Sequence, residues 1–124
     1  MTAQVKKVLI IDDEKPIART LSIKLNANGI ETAIAEDGEV ALDLISKEKY
    51  DLIVLDLLLP KIDGFTVLGE IRKKGIKTPV SIITNLGQPE DIQRAKDLGA
   101  NDYFISSDIS MTEIVQYIKK SLGK

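Results

Sequence analysis

Val8-Leu9-Ile10-Ile11 runs without a break into Asp12-Asp13-Glu14, and Leu52-Ile53-Val54-Leu55 runs into Asp56. Short, uninterrupted apolar runs of this kind predict strands of a parallel sheet covered on both faces. Ligands of open α/β sheets sit outside the carboxyl ends of the strands. Central, parallel placement of both strands would make Asp12, Asp13 and Asp56 converge at that edge. Three carboxylates at one point repel each other unless a cation sits among them. An all-oxygen donor set selects a hard cation, and Mg²⁺ is the best match.

Outward from these runs, strand and helix patterns alternate to both ends of the chain. Strands are expected at 7–11, 31–35, 51–55, 79–84 and 102–105. Residues 16–28 carry Ile17, Leu21 and Leu25 on one stripe and are followed by Gly29, a good residue to close a helix. Helical periods also cover 38–47, 64–74, 89–98 and 111–122. Pro89 lies near the start of the fourth helix, and Ser110-x-x-Glu113 has the spacing of a capping box for the fifth. Five strands and five helices in strict alternation imply right-handed crossovers and a parallel sheet. The expected fold is therefore a flavodoxin-like (βα)5 three-layer sandwich of strand order 2-1-3-4-5, spanning 1–124 as a single domain. Its switch point falls between the first and third strands, which carry the acids.

The totals narrow the chemistry. The 124 residues carry a net charge of −2, which gives no electrostatic footprint for nucleic acid. There is no Cys, so disulfides, thiolate metal sites and cysteine nucleophiles are excluded. There is no His, which removes the commonest general base and the commonest transition-metal ligand. No apolar run approaches the roughly 20 residues of a bilayer span, and Met1–Lys7 lacks the apolar segment of a signal peptide. The expected location is the cytoplasm, with no membrane contact.

Each acid also has a plainer reading. Asp12 or Asp13 suits the start of a helix, with Pro16 close by, but a cap explains one residue and not three consecutive acids. The loop has no Gly and a dense negative charge, so it does not suit a bare nucleotide phosphate. Asp56 taken alone could pair with a lysine. Beside the first two acids it suits a nucleophile that forms an aspartyl-phosphate, with Mg²⁺ screening the repulsion. In Leu57-Leu58-Leu59-Pro60-Lys61-Ile62-Asp63-Gly64, Pro60 and Gly64 shape a loop and Asp63 caps the third helix; the carbonyl of Leu58 is within reach of a metal beside Asp56. Thr84 ends the fourth strand, where its hydroxyl could donate to a phosphoryl oxygen. Tyr103, in the fifth strand, is either a core aromatic or a switching one.

Together these spaced motifs resemble, end to end, the receiver domain of two-component response regulators. The residues that carry the resemblance are Asp12-Asp13, Asp56 with Pro60 and Asp63-Gly64, Thr84, and Gly99-Ala100-Asn101-Asp102-Tyr103. The resemblance implies that Asp56 is the phosphoacceptor. It implies that Asp12, Asp13, Asp56 and the Leu58 carbonyl hold Mg²⁺, that Thr84 moves to the phosphoryl group, and that Tyr103 changes rotamer with it. It implies a histidine kinase or phosphotransfer protein as donor and a downstream effector protein on the face of helix 4, strand 5 and helix 5, residues 89–122. It also implies no enzymatic activity beyond self-catalysed phosphoryl transfer to and from Asp56, no direct contact with nucleic acid, and a monomer or weak dimer.

One departure stands out. The family carries a Lys after the fifth strand, and the matching position is Ser106, followed by Ser107-Asp108; no Lys occurs between Lys96 and Lys119. A neutral hydroxyl in place of a cation removes about 1.5–3 kcal/mol of charge-assisted phosphoryl stabilisation. Lys15 or Lys61 is a candidate substitute. Asn85 is larger than the family's usual Ala or Gly and would crowd Thr84, while Leu58 and Leu86 make the mouth of the site apolar. Two alternatives accompany the leading reading. One is a phosphorylation-independent interaction module, a pseudo-receiver. The other is an aspartyl-phosphate phosphatase, which wants an acid where Leu58 stands.

Overall fold

A computed structural model describes residues 4–124. The elements in chain order are β1 (Lys7–Ile11), α1 (Lys15–Ala27), β2 (Glu31–Ala35), α2 (Gly38–Lys47) and β3 (Leu52–Leu55), followed by α3 (Gly64–Lys73), β4 (Val80–Thr84), α4 (Pro89–Asp97), β5 (Asp102–Ile105) and α5 (Met111–Ser121). All strand pairs are parallel, and the sheet order is β2-β1-β3-β4-β5. The expected flavodoxin-like sandwich is the observed fold. Two strands start one residue later than the spacing predicts, at Leu52 and Val80. Pro79 has no N–H to give to a ladder and serves only as an acceptor, from Ile53 N at 2.9 Å. A single 3-10 turn, Ser106–Asp108, separates β5 from α5 and was not expected.

The two faces of the sheet are filled by alternate residues of the same strands. Val8, Ile10, Leu52 and Val54 pack against α1 and α5 through Ala18, Leu21, Leu25, Ile114, Val115 and Ile118. Leu9, Ile11, Ile53 and Leu55 pack against α2, α3 and α4 on the other side. Because the central strands are buried on both faces, their sequences are continuously apolar, and burial of each such side chain is worth roughly 1.5–3 kcal/mol.

Helix ends follow the local chemistry. Ser110 Oγ accepts from Glu113 N at 3.1 Å while Glu113 Oε1 accepts from Ser110 N at 3.0 Å, completing the capping box. Asp63 accepts from Thr66 N at 3.1 Å and Thr66 Oγ1 at 2.8 Å, fixing the start of α3. Gly29, Gly75 and Gly99 take positive φ just after α1, α3 and α4.

Candidate functional site

Register builds the site. Ile11 pairs with Leu55 across β1 and β3, so the residues that follow, Asp12 and Asp56, leave the sheet side by side. Asp12 N donates to Ala35 O at 3.0 Å and Asp56 N donates to Ile11 O at 2.9 Å, so the ladder holds both backbones to the point where the side chains emerge. One carboxylate oxygen from each of Asp12, Asp13 and Asp56 lies within 4.8 Å of the other two. The helix-cap reading of the first two acids fails: the N-cap of α1 is Glu14, which makes no side-chain cap bond. Asp12 Oδ1 accepts instead from Glu14 N at 2.9 Å in a tight local turn.

Asp56 Oδ1 accepts from Thr84 Oγ1 at 2.8 Å and from Leu58 N at 3.1 Å. Thr84 is fully buried, and this bond gives its hydroxyl a charged partner. Among the described residues, the Leu58 carbonyl accepts no hydrogen bond, and its side chain is exposed. Tyr103 is half-buried against the α2–α4 side of the core and donates its hydroxyl to Leu86 O at 2.6 Å. It therefore joins the core and also ties the loop after β4 to β5. Asn85 is exposed and lines the cavity beside Asp56.

Burial dominates the electrostatics. It pushes the Asp12 carboxyl up to about 6; the Glu14 N–H opposes this, and the neighbouring charges of Asp56, Glu14 and Asp13 add to it. Asp56 is also raised, first by burial and then by the charge of Asp13, against the lowering effect of the Leu58 and Thr84 hydrogen bonds. Acids held together above their ordinary range favour whatever positive charge can join them. Their hard oxygens, together with the free Leu58 carbonyl, fit a divalent cation of the Mg²⁺ type.

The loop after β3 is held under strain beside Asp56. Lys61 has φ of +68°, and Ile62 N donates to Pro60 O at 2.8 Å, which closes a γ-turn. Nothing in the sequence around Lys61 pointed to that turn. Gly64 is required where α3 meets this loop, since a Cβ there would lie 2.5 Å from both Asp56 O and Leu57 Cα. Lys61 Nζ faces Asp37 at 3.5 Å and Glu39 at 3.6 Å, and Lys15 Nζ faces Glu36 at 3.7 Å. Among the described residues, neither lysine pairs with Asp12, Asp13 or Asp56. Ser106 opens the 3-10 turn after β5 and lines a cavity of about 200 Å³ that also touches Asp12 and Asp56.

Known proteins resemble this chain along nearly its whole length. The family model for the response regulator receiver domain matches residues 8–119. The receiver domain of the Francisella response regulator 1452 is 36% identical with a TM-score of 0.87, the match covering 95% of this chain and 97% of that one. A two-component response regulator from Clostridium difficile is 30% identical with a TM-score of 0.88, covering 96% and 97%. The chemotaxis protein CheY4 of Vibrio cholerae is 28% identical with a TM-score of 0.86, covering 95% and 99%.

Proposed function

Because the chain belongs to the response regulator receiver domain family, we propose that it receives a phosphoryl group on Asp56 in a two-component phosphorelay. The observation that supports this most directly is the meeting of Asp12, Asp13 and Asp56, with Thr84 Oγ1 already on the Asp56 carboxylate. One oxygen of Asp56 attacks phosphorus as the bond from phosphorus to the donor's histidine nitrogen breaks; the nitrogen keeps that electron pair and the phosphoryl group becomes an acyl phosphate. Asp12, Asp13, Asp56 and the Leu58 carbonyl would hold Mg²⁺, which when bound supplies the positive charge that offsets repulsion between carboxylate and phosphoryl oxygens. Thr84 Oγ1, freed from the carboxylate oxygen that reacts, donates to a phosphoryl oxygen. The Tyr103 hydroxyl, anchored on Leu86 O two residues beyond Thr84, follows that movement and changes the surface of α4, β5 and α5 that an effector protein reads. Beyond this self-catalysed transfer the chain is no enzyme. Leu58 stands where a phosphatase would carry its acid.

Phosphorylation by acetyl phosphate, read by intact mass, tests the proposal. The expected result is a gain of one phosphoryl group that needs Mg²⁺ and disappears in Asp56→Asn. No gain in a folded protein that binds Mg²⁺ would favour the second reading, an interaction module indifferent to phosphorylation. The neutral Ser106 and the engagement of Lys15 and Lys61 elsewhere support that reading.

A further inference from the structure

The edge of the sheet away from Asp56 carries a cavity of its own, of about 300 Å³, where the end of α2 meets the segments that enter β3 and β4. Its floor is apolar, from Ile45, Tyr50, Ile53 and Ile76, and its rim carries Lys47, Glu48 and Lys49. The wall on the β4 side is held in place. Arg72 donates to Ile76 O and Thr78 O, each at 2.8 Å, and Thr78 Oγ1 donates to Tyr50 O at 3.3 Å.

The acids of this corner are already engaged. Glu48 accepts from Lys7 Nζ at 2.7 Å and from the Tyr50 hydroxyl at 3.1 Å, and Asp51 accepts from Lys7 N at 2.8 Å. Asp43 faces Lys47 at 3.1 Å, and Lys73, in the last turn of α3, offsets the negative end of that helix. Lys49, Lys74 and Lys77 remain. All three are exposed, and none makes an ion pair among the described residues. The backbone N–H of Tyr50, a residue only 7% exposed, also donates to no acceptor among the described residues.

That combination selects its occupant. Three free cations and an unserved N–H favour negative charge, while the apolar floor favours a large apolar group; roughly 150 Å³ is already enough for benzene. A single small anion would reach one of the three lysines, which stand on separate stretches of chain, and would leave the floor unused. A flat anionic membrane would meet the lysines without filling the hollow between them. We propose that this corner docks an acidic segment of a partner protein that seats one aromatic side chain between Ile45, Ile53 and Ile76. The lysines supply charge complementarity around a central apolar anchor. Since the cavity lies at the edge away from Asp56, the inference does not rest on phosphoryl transfer.

The probe is the capped peptide Glu-Asp-Phe-Glu-Asp, added to the full chain and followed by methyl NMR. Saturable shifts are expected at Ile45, Ile53 and Ile76, with a dissociation constant on the order of 0.1–1 mM for so small a contact. Val115 and Ile118, on the other face of the sheet, should not move. The same peptide with alanine in place of phenylalanine should bind at least about tenfold more weakly. So should the parent peptide towards a chain carrying Lys49→Gln, Lys74→Gln and Lys77→Gln together, whose fold these exposed positions leave intact. Equal binding of the alanine peptide, or undiminished binding to the folded triple variant, would overturn the proposal. Binding of 3-phenylpropionate as tight as that of the peptide would overturn it in favour of a small-molecule pocket. Sedimentation of the chain with phosphatidylglycerol vesicles, with no methyl shift from the peptide, would overturn it in favour of a membrane.

Discussion

At the scale of single residues, the site is a balance between burial and charge, and pH reads it. The Asp12 carboxyl, held up to about 6, is protonated more readily in the folded chain than in the unfolded one. Its contribution to stability is therefore complete below the unfolded value near 4 and is lost as pH rises through about 6. That loss should cost metal-free protein about 1 kcal/mol between pH 4.5 and 7 once the half-exposed position is discounted for solvent screening. Acids that the fold holds low, such as the capping-box Glu113, which accepts from Ser110 N, add stability as the unfolded carboxylates ionise near 4.5, so the loss due to Asp12 is read above about pH 5.5. Mg²⁺ needs the deprotonated carboxylate, so its affinity should fall about tenfold per pH unit below 6 and level off above 7. Urea midpoints with and without Mg²⁺ and calorimetric Mg²⁺ titrations from pH 5 to 8 check both slopes; a metal-free stability that rises from about pH 5.5 to 7 would refute the assignment. Ser106 is the other residue with a large expected effect. Ser106→Lys should restore a charge-assisted bond of about 1.5–3 kcal/mol and speed labelling by about one to two orders of magnitude. An unchanged rate in stopped-flow labelling would mean that the site's positive charge comes from elsewhere.

At the scale of elements, the important contact is between α3 and the loop after β3. Gly64 N donates to Leu57 O at 3.0 Å, and a methyl group at position 64 would strike the backbone of Asp56 and Leu57. Gly64→Ala should cost about 1–3 kcal/mol as overpacking, and it should also slow labelling by displacing Asp56. Ser110→Ala, which removes one half of the capping box, should cost about 1 kcal/mol with no change in labelling. Urea midpoints and labelling rates measured side by side separate the two; equal losses of labelling would show that only global stability mattered. These elements also show what the sequence made legible. The caps at Asp63 and Ser110 have local signatures and could be read, as could the strands whose burial on both faces leaves continuous apolar runs. The convergence of Asp12, Asp13 and Asp56 was legible because strand ends and parallel register determine it. The γ-turn at Lys61 was not, because a positive φ at a non-glycine residue is imposed by packing and leaves no mark on composition. Neither was the engagement of Lys15 and Lys61 with Asp37, Glu39 and Glu36, since long side chains choose partners in space.

At the scale of the whole molecule, the two edges of the sheet do different work. The carboxyl edge carries the acids, Thr84 and the cavity that Ser106 lines. The opposite edge is tied together by Arg72, in the last turn of α3. Its guanidinium donates to Ile76 O and Thr78 O at 2.8 Å, to Gly99 O at 2.9 and 3.1 Å, and to Asn101 Oδ1 at 3.0 Å. Asn101 Oδ1 also accepts from Val80 N at 2.9 Å. One side chain thus joins the end of α3 to the segments that enter β4 and β5, and satisfies carbonyls that no ladder reaches. Removing it should leave those acceptors short of donors, at a cost of about 2–3 kcal/mol in Arg72→Met. Arg72→Lys should recover little, because an ammonium cannot present the planar fork that serves several carbonyls at once. Since all of this lies at the edge away from Asp56, labelling by acetyl phosphate under conditions where the variants remain folded should match the parent within about twofold. Denaturant midpoints together with labelling rates decide the matter. A variant that keeps its midpoint, or one that loses labelling while fully folded, would break the proposed division between an edge that holds the sheet together and an edge that carries the chemistry.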